Sequence, residues 1–267
     1  MALSLPGSLP DLVPADTVIV VDTVPLLRKC IAAVAQTSSL AVDLEGIAMS
    51  RSGSICILQL KARESNLVWL VDIVALGAHA FTERVQGWIT LKTLLESPLI
   101  TKLFYDVRND SDALYNIFGV SLGNVYDLQL LELATRASNP AARHRIPARF
   151  VVGLGLALEE HVAPTRPSTE TNRWARVKEQ GEALFAPERG GRYEVFSERP
   201  LTPALIEYCA QDVALLHELE VGLRRRGMGA GNWEQRIVIE SAARVWRARQ
   251  LLSVPRGPDE ALAPVNW

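Results

Sequence analysis

The chain has 267 residues, 48% of them hydrophobic and 22% charged, with a net charge of −2. That length allows one large domain or two small ones around a real core, and the near-neutral charge excludes a global basic field, so any nucleic-acid binding must come from local patches. Cys30, Cys56 and Cys209 are far apart and form no CxxC pair, which argues against a zinc site or a disulfide framework and for a reducing compartment.

Residues 1–16 are rich in proline and read as a flexible N-terminal arm, with neither a basic n-region nor an Arg-rich amphipathic pattern. No stretch approaches the roughly 18 apolar residues of a membrane span, so the expected setting is intracellular, cytoplasmic or nuclear. "TVIVVDT" (17–23) reads as a strand. The helix "VPLLRKCIAAVAQ" follows, with Thr23 as N-cap and Pro25 in its first turn. "LAVDLEG" (40–46), "SICILQL" (54–60) and "NLVWLVDI" (66–73) are short apolar runs bounded by turn residues, hence strands. A helix-rich stretch covers about 80–97. "ITKLFYD" (100–106) is a further strand, "DSDALYNIF" a helix, and "LQLLELATR" another. Strands that first cluster and then alternate with helices predict an α/β sheet covered by helices.

Between 136 and 200 prolines and the Gly190-Gly191 pair loosen the pattern, and this stretch reads as an elaboration of one domain over 17–252. "TPALIEYCAQDVALLHELEVGLRRRG" (202–227) is a strong helix with Thr202 as N-cap. Another covers about 232–252, and 253–267 read as a loose tail.

Three sets of acids sit where acids are costly. Asp43 and Glu45 lie two apart in an apolar strand and so share one face with Ala41, while Val42 and Leu44 take the other. Side by side, the two carboxylates raise each other's pKa. They are either the polar face of an edge strand or two ligands of a cation. In the 202–220 helix, Tyr208 and Asp212 lie one turn apart on the stripe formed by Leu205, Leu215, Leu216 and Leu219, with Glu207, Gln211 and Glu218 off it. An acid there needs a backbone group, an arginine or a metal. In "YDVRNDSDALYNIFGV" (105–120), counting back by four from Leu114 puts Asp110 on the inner face. Asp112 falls outward with Asn116, and Asp106 is a strand-end turn residue. Four inward carboxylates cannot all ionise without cations, and oxygen-only ligation favours Mg2+ or Mn2+.

This order, D-x-E, an inward Asp, then Y-x3-D, resembles the DEDDy 3′–5′ exonuclease family, which includes RNase D, the nuclear exosome exonuclease and the Werner exonuclease. "LAVDLEG" resembles its first motif, "KLFYDVRNDSDALYNIFGV" its second and "RPLTPALIEYCAQDVALL" its third. The likeness spans about residues 17–222 and looks closest to Egalitarian-like exonuclease-domain proteins. It implies an RNase H-like fold with a five-stranded mixed sheet, and two divalent ions held by Asp43, Glu45, Asp110 and Asp212. It also implies a water oriented by Tyr208, and release of 5′-nucleoside monophosphates from the 3′ end of a single strand, RNA slightly ahead of DNA. Tyr105 stands where the family usually has His. Because some Egalitarian-like relatives are RNA-binding adapters, an inactive binding module is the alternative. Gly46 and the cations Arg143, Arg145 and Arg149 are the candidate substrate contacts, with Arg136 in the same acid-free run. "RRR" (224–226) is a second basic patch, at a helix end where arginine is favoured anyway. Trp174 either stacks a base or docks on the core.

Overall fold

A computed structural model of the chain describes residues 17–139, 146–228, 231–250, 258–265 and 267. The strands are β1 (Val18–Val21), β2 (Ser39–Ile47), β3 (Ser54–Ala62), β4 (Val68–Asp72), β5 (Thr101–Phe104) and β6 (Val125–Asp127). The helices are α1 (Val24–Val34), α2 (Ile73–Leu76), α3 (His79–Thr82), α4 (Leu91–Glu96), α5 (Arg108–Phe118), α6 (Leu128–Ala137), α7 (Leu154–His161), α8 (Ser168–Phe185), α9 (Pro203–Ala214), α10 (Leu216–Arg226) and α11 (Trp233–Arg247).

The sheet is mixed, in the order β1-β4-β3-β2-β5-β6. β3 runs antiparallel to β2 and β4, and the other neighbours are parallel. The RNase H-like arrangement is therefore present, but with six strands rather than five. The sixth, β6, has only three residues, too few for any periodicity to show in sequence. β2 is central, between β3 and β5, so Asp43 and Glu45 are not the solvated face of an edge strand.

Alternation along β2 divides its side chains between two cores. Val42 and Leu44 join α1, Leu91 and Leu114 on one side of the sheet. Ala41 joins Leu205, Cys209 and Val213 of α9 on the other, the side to which Asp43 and Glu45 also point. In β3 the whole run Ile55–Leu60 is buried, because helices cover both faces. Each large apolar side chain withdrawn from water there contributes roughly 1.5–3 kcal/mol.

The single helix read over 202–227 is two, broken at Leu215. α9 packs against the sheet on one side and α8 on the other, which explains why Gln211, off the apolar stripe in sequence, is buried. α8 is an 18-residue helix inside the stretch that reads as loose. Trp174 on it docks into the core. The tail read as loose returns to the domain: Val151 N–H donates to the Ala261 carbonyl and Ala263 N–H to that of Arg149. Trp267 packs on Trp233 at 5.9 Å between ring centroids. The 1–16 arm and residues 253–257 lie outside the described residues. Cys30, Cys56 and Cys209 are buried free thiols. Among the described residues no helix is long and apolar enough to cross a membrane.

Candidate active site

β2 carries Asp43 and Glu45 toward α9, and α9 presents Asp212. One ligand atom from each of these three lies within 4.8 Å of the other two. The local reasons are in the sequence. Thr202 caps α9 by accepting from the Leu205 N–H, and Pro203 occupies the first turn, where its missing N–H costs nothing. Four residues separate Tyr208 from Asp212, so both face β2. A β-bulge between Glu45 and Gly46 shifts the register against β3. A Cβ at Gly46 would lie 2.0 Å from the Ser54 carbonyl oxygen, so close backbone approach already requires glycine there.

The acids perturb one another. Burial, then Asp212, Asp110 and Glu45, push the Asp43 carboxyl well above the usual range. Burial and Asp212 do the same to Glu45. Asp212 is raised by burial, partly offset by Lys178. Asp110 stands apart from the tight triplet, yet its charge reaches Asp43 and Glu45. Burial, with Asp106 beside it, lifts its own pKa to about 8. Oδ2 of Asp212 is buried without a hydrogen-bond partner among the described residues. Clustered hard oxygen donors, each resisting ionisation, with one carboxylate oxygen unpartnered, fit a hard divalent cation.

Lys178 of α8 enters the same site, and the sequence reading missed it. Its Nζ donates to Asp212 Oδ1 at 2.5 Å and to the Tyr208 hydroxyl at 3.2 Å, and lies 4.3 Å from the Tyr208 ring centroid. Burial alone would lower the ammonium's pKa; Asp212, Glu45 and Asp43 outweigh it and hold it above the usual lysine value. α8 comes this close because of Gly181, one turn beyond Lys178: a Cβ there would lie 2.1 Å from the Tyr208 ring. Tyr208 is buried, edge-on to Phe185 with centroids 5.2 Å apart, and its hydroxyl is held protonated by burial and the neighbouring acids. Gln59, the cross-strand partner of Asp43, is fully buried with neither amide atom partnered among the described residues.

The three aspartates of the 105–120 stretch part company. Asp110 is buried, and its charge acts on Asp43 and Glu45. Asp106, at a left-handed φ of 69°, pairs with Arg108 through two hydrogen bonds. Asp112 does not face solvent: it accepts from the Arg51 backbone N–H and from Nε and Nη2 of the same residue, at 2.7–3.0 Å.

The basic candidates fare differently. Arg136 is buried, donates twice to Glu132, and donates to the carbonyls of Ile146, Pro147 and Phe150. It organises the fold and cannot meet a phosphate. Arg149 is exposed, its guanidinium 4.9 Å from the Phe150 ring centroid. Arg143 and Arg145 lie outside the described residues. In the 224–226 patch, Arg224 pairs with Glu220 and Glu234, and Arg226 donates to the Glu160 carbonyl. Tyr105 donates its hydroxyl proton to the Val152 carbonyl at 3.1 Å.

A family profile for 3′–5′ exonuclease matches residues 18–150, which carry Asp43, Glu45 and Asp110. The chain is 28% identical to the piRNA biogenesis protein EXD1 of Mus musculus over 188 residues, 70% of this chain and 29% of that protein. The Homo sapiens EXD1 is also 28% identical, over 186 residues, 69% of this chain and 32% of that one. The chain thus spans about a third of the length of these relatives. In fold it is similar to Trypanosoma brucei RNase D in complex with GMP, with a TM-score of 0.70 and 22% identity, covering 90% of this chain and 66% of that one. Escherichia coli RNase D is similar at a TM-score of 0.61 and 21% identity, covering 88% and 51%. The profile match, the relatives and the shared fold agree: the chain belongs to the 3′–5′ exonuclease family.

Proposed function

We propose that this protein is a metal-dependent 3′–5′ exonuclease of the DEDDy type. It would remove 5′-nucleoside monophosphates from the 3′ end of single-stranded nucleic acid, RNA ahead of DNA. The observation that carries this reading is the convergence of Asp43, Glu45 and Asp212 within 4.8 Å, with Tyr208 one turn from Asp212. The preference for RNA is supported by the relatives, named for piRNA biogenesis, and by the RNase D structures, one of them a complex with RNA U12.

Asp43, Glu45 and Asp212 would hold divalent ions, with Asp110 assisting. Two such ions, when bound, polarise the attacking water and steady the leaving oxygen of an in-line displacement. The chain's own residues do the rest. Asp110, at about 8 in the protein alone, gives up its proton once cations offset the neighbouring charge. Tyr208 stays protonated, so its hydroxyl both donates and accepts, as orienting a water requires. Gly46, Arg143, Arg145 and Arg149 remain the candidate contacts to substrate.

A second reading, a nucleic-acid-binding module of the same fold without useful turnover, is favoured by one observation: Lys178 already holds Asp212. The test is incubation of 3′-labelled and 5′-labelled RNA and DNA strands with Mg2+ or Mn2+. Mononucleotides lost from the 3′ end by the wild type, and not by Asp43→Ala, are expected. Strands left equally intact by both, with binding retained, would give the second reading.

A further inference from the structure

The site contains a cation of its own, and it is placed where a divalent ion would have to act. Lys178 Nζ lies 2.5 Å from Asp212 Oδ1, and its charge also acts on Asp43 and Glu45. An ammonium at that distance uses an oxygen that a metal would otherwise take. An ammonium and a divalent ion cannot both use the same Asp212 oxygen, and each raises the cost of placing the other beside it. Lys178 also has a way out. Its side chain is 19% exposed, on a flexible four-carbon stem. Glu182, four residues on along α8 and half-buried, is close enough for its charge to act on Asp212; one of its oxygens, Oε2, already pairs with Arg189 at 3.0 Å, and a carboxylate can accept a second cation on its other oxygen.

We propose that Lys178 is an internal competitor for divalent metal. Its ammonium occupies Asp212 until an ion displaces it, and it then moves along α8 to the Glu182 carboxylate. This rests on the metal-dependent reading of the site and adds a regulatory consequence. The metal-free site is partly neutralised from within, so occupancy, and with it turnover, rises only at ion concentrations high enough to evict the lysine. Lys178 is in this account a positioning residue, acting through Asp212 and Tyr208.

The test is Mn2+ binding followed by calorimetry on the full chain, in the wild type, Lys178→Met and Lys178→Arg, each also in an Asp212→Asn background. Competition predicts that Lys178→Met binds Mn2+ about tenfold or more tightly than wild type, by analogy with the effect of one close charge on a buried ionisable group. Lys178→Arg, which keeps the charge, should bind no more tightly than wild type. In the Asp212→Asn background the gain from Lys178→Met should vanish, because the carboxylate charge for which the two cations compete is gone. If Lys178→Met melts too early for calorimetry, the rise in melting temperature on adding Mn2+ reads the same quantity and should be larger than in wild type. Equal or weaker binding by Lys178→Met would overturn the proposal and make Lys178 a simple brace. An equal gain in both backgrounds would overturn it in favour of a general field effect. No binding by any variant would take down the metal reading itself, and this proposal with it.

Discussion

Among the described residues, two clusters bring three metal-ligand side chains within 4.8 Å of one another: Asp43, Glu45 and Asp212, and Glu132, Glu160 and His161. Their chemistry differs because their partners differ. Glu132 is fully buried, yet Arg136 grips both its oxygens at 2.5 and 2.8 Å. Burial would raise its pKa, but His161 and Arg136 outweigh burial and bring it below the usual value. The acids around Asp212 have one ammonium among them and stay raised. In the first arrangement Arg136 answers the Glu132 carboxylate within the fold, although neither ring nitrogen of His161 has a hydrogen-bond partner among the described residues. The second leaves uncompensated charge, which cations from solution would offset. Acid count alone therefore does not mark a site; the presence or absence of an internal guanidinium does.

The largest expected effect that would break this comparison is on turnover. Asp43→Asn or Asp212→Asn should lower kcat on a 3′-labelled strand by roughly a thousandfold or more, whereas Glu132→Gln should leave kcat within a few-fold once the protein is folded. Next in size is stability. Glu132→Gln strands a buried guanidinium and should cost about 3–5 kcal/mol in urea denaturation. Asp43→Asn removes a repelling charge and should stabilise the metal-free protein.

The pH dependence sharpens the same contrast. Asp110 ionises near 3.8 when unfolded and near about 8 in the folded metal-free protein. Between these values the native state holds a proton that the unfolded chain has released, so stability falls as pH rises. Asp43 and Glu45 act in the same direction. The metal-free melting temperature should therefore drop from pH 5 to pH 8. Mn2+ binding should strengthen over the same range, because ligation needs the ionised forms. Glu132, held below its usual value, works the other way: its contribution is present above the unfolded pKa and is lost as pH falls through the folded one.

Two smaller effects concern what surrounds the acids. Gly181→Ala would drive a methyl into the Tyr208 ring and should cost about 1–3 kcal/mol as α8 moves off α9, altering Mn2+ binding through Lys178. Asp112→Ala removes the carboxylate partner of Arg51, which also donates to the Gln250 and Ala248 carbonyls, at a site still partly open to water. It should cost about 1 kcal/mol, with Mn2+ affinity unchanged.

Much of the site was legible in sequence because it depends on local periodicity. The period of two puts Asp43 and Glu45 on one face. The helical period selects Asp110 over Asp106 and Asp112, and stacks Tyr208 on Asp212. What sequence did not disclose depends on pairing across the fold. Lys178 sits in a polar helix that buries only Val177 and Gly181, so no stripe announces it. Asp112 looks solvent-facing by phase, and only the return of the chain at Arg51 covers it. Arg136 looks like a phosphate contact in an acid-free run, but Glu132 lies just outside that run, one helical turn back. The sixth strand escaped because three residues carry no period.

The most direct measurement of the central claim is an anomalous-scattering map from a crystal of the protein grown with Mn2+. The account predicts a peak bounded by carboxylate oxygens of Asp43, Glu45 and Asp212, with Lys178 Nζ withdrawn from Asp212, and no peak at Glu132. A map with Lys178 still on Asp212 and no Mn2+ among the three acids would contradict it.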